Sequence, residues 1–145
     1  MRLDFLIMAD RAEAINGKLY MVGGGFDRVA VAAIPGSADY DVVFGFLVEY
    51  VETNEPHEFS VTVHDEDDRV VLGPIGGRVE VGRPAGMVAG QEQRVIIVLR
   101  GPFPVAATGN FKWVPTLDGV LAQPTRFRID RLELPQVPGP PHVGQ

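Results

Sequence analysis

The sequence predicts an all-β fold, an antiparallel sandwich of immunoglobulin-like type with about eight to ten strands. Three observations carry that expectation. Seventeen glycines and twelve prolines cut the chain into short runs, with turn signals roughly every 8 to 12 residues. Several runs alternate apolar and polar residues with a period of two, the pattern of a half-buried strand. No run shows the 3.6-residue period of an amphipathic helix.

The first strand runs from Arg2 to Ala9. Leu3, Phe5, Ile7 and Ala9 share one face, and Leu6 and Met8 make the other face apolar as well, so cover on both sides is expected. Asn16-Gly17 stands between Ile15 and Lys18. Both residues accept the positive φ of a type I′ turn, which predicts a hairpin with Ala14 opposite Leu19 and Ala12 opposite Met21. Gly23, Gly24 and Gly25 follow. A dinucleotide fingerprint would need a glycine where Arg28 stands, and there is neither a Gly-Lys-Ser/Thr nor a following helix. The triplet therefore reads as a bulge or sharp bend where backbones approach closely. Phe26 to Ala33 resumes as a strand and ends at Pro35-Gly36.

Asp41 to Val51 alternates Val42, Phe44, Phe46, Val48 and Tyr50 against Val43, Leu47 and Val51. His57 to Asp65 places Phe59, Val61 and Val63 inward and Glu58, Ser60, Thr62 and His64 outward, the alternation of a sheet with one wet face. Gly73-Pro74 and Gly76-Gly77 punctuate the chain after Leu72, before a short strand marked by Val79 and Val81. Residues 82–90 form a loop. The run Val95 to Leu99 reads as a strand buried on both faces. The last pair, Gly109 to Leu117 and Val120 to Leu132, meets at Asp118-Gly119. A strict two-residue turn would set inward Phe111 against outward Arg126, so a one-residue bulge is required, with Pro124 its expected place. The chain divides into a single β-sandwich domain over residues 1–134 and a Pro/Gly-rich tail over 135–145 without apolar periodicity.

Composition narrows function by exclusion. A net charge of −6 opposes nucleic-acid and anionic-membrane partners. Without cysteine there is no disulfide, thiolate zinc site or cysteine nucleophile. No run approaches the ~20 apolar residues of a spanning helix, and the FLIMA run lacks a basic lead-in and cleavage pattern, so a cytoplasmic protein is expected. Only Ser37 and Ser60 offer serine hydroxyls, and neither lies in G-x-S-x-G.

The candidate sites are few. Asp65-Glu66-Asp67-Asp68 is the one run of carboxylates, and Asp65, Asp67 and Asp68 are candidate calcium ligands, with Asp39 and Asp41 as a second loop. An EF-hand does not fit, because Arg69 takes the third ligand position and Val70 that of the obligatory glycine. The alternative is a solvated hairpin turn in which Asp68 adopts a left-handed conformation. His57 and His64 are too far out of phase on one strand to chelate a metal together; with His142 they read as solvated surface residues. Asp10, Arg11, Asp27 and Arg28 flank the opening hairpin as a salt-bridge cluster or a polar site. Arg126, Arg128 and Arg131 form a basic stripe on the last strand. It reads either as charge guarding a sheet edge or as a docking face for an acidic partner or a second copy.

The run from Ala9-Asp10-Arg11 through Gly17-Lys18-Leu19-Tyr20 to Gly23-Gly24-Gly25-Phe26-Asp27-Arg28 resembles an uncharacterised family of small bacterial proteins, a domain of unknown function. The likeness continues through Glu52-Thr53-Asn54, Asp65-Glu66-Asp67, Glu80-Val81-Gly82-Arg83-Pro84 and Glu92-Gln93-Arg94. It implies a β-sandwich and supplies no catalytic residues or cofactor. The functional expectation is a non-enzymatic module that binds a protein partner or a second copy, its apolar first strand and glycine bend offering an edge for strand addition. A calcium- or carbohydrate-binding domain or small hydrolase using the acidic loops is the alternative, and a structural subunit of a larger assembly the third reading.

Overall fold

The alternation becomes two facing sheets in the computed structural model, which describes residues 1–135 and 137–139. The first sheet has the order β2 (Lys18–Gly24), β1 (Arg2–Ile15), β5 (Asp41–Glu49), β8 (Glu92–Arg100). The second has the order β3 (Arg28–Val31), β12 (Thr125–Arg131), β10 (Gly109–Leu117), β6 (Pro56–His64), β7 (Val70–Glu80), with β11 (Val120–Leu121) against β10. A short ribbon, β4 (Gly36–Ala38) with β9 (Phe103–Val105), closes one side. The sandwich is as expected. The strand count exceeds the expectation because β4, β9 and β11 are two or three residues long, too short to show a period.

The Asn16-Gly17 hairpin forms with both residues at positive φ and with Ala14 opposite Leu19 and Ala12 opposite Met21. At the far end of β2, Gly23 and Gly25 also take positive φ. A Cβ on Gly23 would collide with the Asp10 side chain, so the triplet turns where chains lie close. At the last hairpin Leu117 pairs with Val120 but Phe111 with Phe127, a one-residue shift in the segment that holds Pro124. Pro115, inside β10, accepts from Ala122 N–H through its carbonyl. Its donor-less nitrogen faces the same side, where that shift already breaks the ladder, so proline costs no hydrogen bond there.

Four expectations change. β3 pairs β12 in parallel, so the second sheet is mixed rather than purely antiparallel. β7 runs unbroken from Val70 to Glu80 through Gly73-Pro74 and Gly76-Gly77, its register against β6 shifting after Val61; a Cβ on Gly76 would strike the backbone of Phe59 and Ser60. The glycines there permit close approach within a strand and do not end it. Third, β8 is an edge strand, half-buried rather than buried on both faces. Its Ile97 and Leu99 reach the main core, and Ile96 and Val98 reach a small outer cluster with Ala9, Ala12 and Val43. Last, β5 stops at Glu49, and a 3-10 turn over Tyr50–Glu52 leaves Val51 exposed.

The main core lies between the sheets. Phe44 and Phe46 of β5 meet Phe59 of β6 at ring distances of 4.8 and 5.2 Å. Trp113, fully buried on β10, packs against Phe103 at 5.2 Å. On the outer face of the first sheet Phe5 lies over Gly45, where any Cβ would collide with its ring. Described residues 132–135 and 137–139 carry no strand and are exposed. The rest of the expected tail, residue 136 and residues 140–145 with His142, lies outside the described residues. No helix among the described residues is long and apolar enough to cross a membrane.

One buried carboxylate ties three segments. Asp41 accepts from Ala12 N–H at 2.9 Å and from Gly101 N–H at 3.3 Å. Asp41→Ala orphans Ala12 N–H, whereas Gly101 N–H keeps the Tyr40 carbonyl at 3.0 Å; the change is expected to cost about 1–3 kcal/mol, read as a lower urea midpoint at unchanged m-value. Asp41→Asn keeps an acceptor oxygen and should cost clearly less.

Candidate functional site

The acidic turn joins β6 to β7. Asp65 Oδ1 accepts the N–H groups of Asp67 and Arg69, both at 2.9 Å, and Asp68 sits at φ 58°. Asp68 pairs with Lys112 and Glu66 with the Asn110 amide; the Lys112 ammonium holds the Asp68 carboxyl below the usual range. The second loop faces other work: Asp41 holds backbone donors, and Asp39 bonds Arg11 at 2.6 Å. No group of three metal-ligating side chains gathers among the described residues. The Asp10, Arg11, Asp27, Arg28 set is split likewise, Arg11 going to Asp39 while Asp27 and Arg28 line a separate groove.

His57 is a correction. It is buried, not solvated, and lies on the Phe59 and Val61 side of β6. Its Nε2 contacts the Glu52 carbonyl at 2.8 Å and its Nδ1 the Asp118 carboxylate at 2.9 Å. Both partners are acceptors, so only the doubly protonated ring satisfies both. The Glu52 carbonyl and then Asp118 raise the His57 pKa, while the His57 bond and the Glu58 N–H lower that of Asp118. A His–Asp contact beside a cavity suggests a general base, but this ring has no free nitrogen to accept a proton. It is a latch between β6 and the β10–β11 turn. The signal was its parity with Phe59. His64 sits half-buried with Nε2 2.9 Å from Thr62 Oγ1.

The basic stripe is rearranged. β12 lies between β10 and β3, and Arg128 N–H is bonded to Asp27 O at 2.8 Å, so edge protection does not account for its charges. Arg126 and Arg128 share the outer face as expected. Arg131 falls by alternation on the Phe127 and Ile129 side at the strand's end. Cross-strand partners supply the other cations: Arg28 opposite Arg128, and Lys112 opposite Arg126. These four line a groove of ≈ 510 Å³.

The second surface is the edge of β1. β5 pairs one side of β1 from Arg2 to Ala9, but β2 pairs the other side only from Ala9 to Ile15. Between Arg2 and Ile7 that other side has no strand partner among the described residues. At its inner end Gly25 N–H bonds Met8 O at 2.9 Å as the glycine bend leads the chain away. A cavity of ≈ 580 Å³ runs along this edge, lined by Leu3, Phe5 and Leu6 on one wall and Leu117, Val120 and Leu121 on the other. Val120 and Leu121 are 69% and 72% exposed.

A family model described as "Family of unknown function (DUF6941)" matches residues 4–130. No curated protein and no solved structure matches the chain.

The latch makes stability depend on pH in a stated direction. A raised folded pKa means that His57 contributes fully below about pH 6.5, and that the contribution is lost as pH rises through the folded value. A lowered Asp118 pKa contributes above about pH 3.9 and is lost as pH falls through the folded value. Thermal melts should therefore show the melting temperature declining from pH 6 to pH 8, a slope absent in His57→Gln. Equal slopes in the two proteins would show that the ring is not charged in the fold.

Proposed function

We propose, on the premise that this chain belongs to the family of unknown function DUF6941, that it is a non-enzymatic interaction module that joins a second copy of itself by strand addition along β1. The observation that carries this reading is the unpaired side of β1 between Arg2 and Ile7. Unpaired N–H and C=O groups along the edge of a largely apolar strand are a template for another strand. Met8 O faces that side, since Gly25 takes it, so by the two-residue repeat the N–H and C=O of Leu6 face it too.

The shape of the edge favours a second copy over an unrelated strand. One half of the β1 edge is occupied by the chain's own β2 and the other half is open. Under a two-fold rotation, the open half of one copy fills the notch of the other, and each β2 continues the row begun by its partner's β1. Such an interface is isologous and closes on itself. Val120 and Leu121, apolar at the rim, would be covered in it. The register irregularity between Leu3 and Phe5 confines regular pairing to the Phe5 end of the notch. Asp4 is paired with Arg94, and Arg2 with Glu92, so neither leaves an unpaired charge beside the joint. The likeness of the motif from Ala9 to Arg28 to a family of small bacterial proteins supports a bacterial setting for this module.

Sedimentation velocity over a wide concentration range tests the reading. The wild type should dimerise. Leu121→Asp, at an exposed rim position, should give a folded monomer; Leu6→Pro, which removes an N–H from the open edge, should also give a monomer, at a lower melting temperature because Leu6 packs against the core. A strict monomer at every concentration, or a dimer indifferent to both substitutions, would overturn it.

A further inference from the structure

Each of the two facing sheets ends in two strands, and an edge invites pairing unless its strand is short, bulged or broken by proline. Three of these edges carry such protection. β3 is four residues long, β7 shifts register against β6 and contains Pro74, and β2 runs into the glycine bend. β8 carries none of it: it has nine residues without proline or glycine, paired with β5 in one register from end to end. Its backbone directions follow from its two flanks. Tyr50 N–H donates to Gln91 O and Gly101 N–H to Tyr40 O, both at 3.0 Å, so Gln91 and Gly101 face the β5 side. By the two-residue repeat Gln93, Val95, Ile97 and Leu99 face it as well. Glu92, Arg94, Ile96, Val98 and Arg100 therefore turn their N–H and C=O groups away from β5. Among the described residues no strand and no backbone hydrogen bond meets them there.

We propose that β8 is a second self-association edge, at which two copies pair antiparallel about a two-fold axis through Ile96. In this register Ile96 lies opposite itself, Arg94 opposite the partner's Val98, and Glu92 opposite the partner's Arg100. The whole strand is used, and an unlike-charge pair stands at each end. Neighbouring registers are poorer. A slip of two residues one way sets Arg94 against the partner's Arg100, and a slip the other way carries Arg100 past the end of the partner's strand. The charges also have partners within their own copy: Glu92 pairs with Arg2, Arg94 with Asp4, and Arg100 with Glu13 and, at 4.0 Å, Asp41. The joint brings unlike charges together beside these pairs and leaves none unmatched; Arg94, diagonal to the partner's Arg100, keeps Asp4. Ile96 and Val98, half-buried in the outer cluster with Val43, gain apolar cover across the joint. This joint stands apart from the β1 edge, on the far side of β5. It closes no cavity, so it is the weaker of the two and forms above the concentrations at which the β1 joint is read. Where both form, two different two-fold axes on opposite sides of one sheet give an open row of copies instead of a closed pair.

The chain has no cysteine, so a single introduced one reports the joint. In the Leu121→Asp protein, whose β1 joint is broken, Ile96→Cys should give a disulfide-linked dimer under mild oxidation at high protein concentration, because directly opposed residues lie about 5.5 Å apart at Cα. Val98→Cys should not, since the two copies of Val98 would stand about 13 Å apart along the strands. Sedimentation equilibrium of Leu121→Asp at the same concentrations should show an association that Arg100→Glu weakens about tenfold, because both unlike pairs of the joint become like pairs. Adding Glu92→Arg should restore it. These two positions are exposed, so the charge exchange reads the joint even where a cysteine variant fails to fold. No disulfide with Ile96→Cys in a folded protein, equal disulfide with Val98→Cys, or an association indifferent to Arg100→Glu would overturn the proposal. A wild-type dimer that Leu121→Asp abolishes, with no trapping by Ile96→Cys, removes this joint and keeps the β1 joint; trapping with a wild type that stays monomeric in dilute solution does the reverse.

Discussion

Buried backbone donors must be paired, and nowhere does that constraint shape this molecule more than along β1. The strand is longer than either neighbour can serve. β5 accompanies it as far as Ala9 and β2 takes over from Ala9 onward, on the opposite side. Beyond the handover the β5 side of β1 would be left without acceptors. Asp41 fills that gap with a carboxylate that accepts Ala12 N–H and, through its other oxygen, Gly101 N–H. A side chain thus continues a ladder that the backbone of β5 cannot. On the β2 side the remedy is only partial: Gly25 N–H reaches Met8 O, and the chain then leaves. The open edge that follows is a direct consequence of how one long strand is divided between two partners.

Charge is distributed with similar economy. The chain carries −6 overall, yet three strands distant in sequence bring four cations onto one face. Most other ion pairs are exposed and contribute little to stability, as for Arg11 with Asp39 or Arg2 with Glu92. The His57–Asp118 contact differs because the ring is buried and both nitrogens are committed. It fastens the turn before β11 to the start of β6, and so sets the wall that faces β1 across the cavity.

What could be read from the sequence follows from the range of each interaction. The Asn16-Gly17 hairpin and its register are local, set by two residues that accept positive φ. The shift near Pro124 was legible because Phe111 and Arg126 have opposite parity, and no folded ladder could pair them. The inward face of β6 was legible from Phe59, Val61 and Val63, and His57 shares their parity; treating it as solvated set chemical type above position. The parallel β3–β12 pair and the edge position of β8 were not legible. They are decided by which strands meet across the whole chain, and an apolar run such as Val95 to Leu99 looks the same whether it is central or is an edge strand feeding two clusters. The basic face was half legible for the same reason. Arg126 and Arg128 lie on one strand, while Arg28 and Lys112 arrive from two others.

The two surfaces differ in what they ask of a partner, and their positions make them compatible. The β1 edge offers backbone groups and apolar rim residues, which another strand satisfies with little regard to charge. The outer face of β3, β12 and β10 offers charged side chains of both signs, its four cations standing among the carboxylates of Asp27, Asp65, Glu66, Asp68 and Asp130. They lie toward opposite ends of β10, so copies joined at the notch as proposed would leave both grooves open. The glycine triplet is the hinge of this arrangement: by turning the chain out of the first sheet at Gly23–Gly25 it exposes the notch, and it delivers Arg28 to the other sheet opposite Arg128.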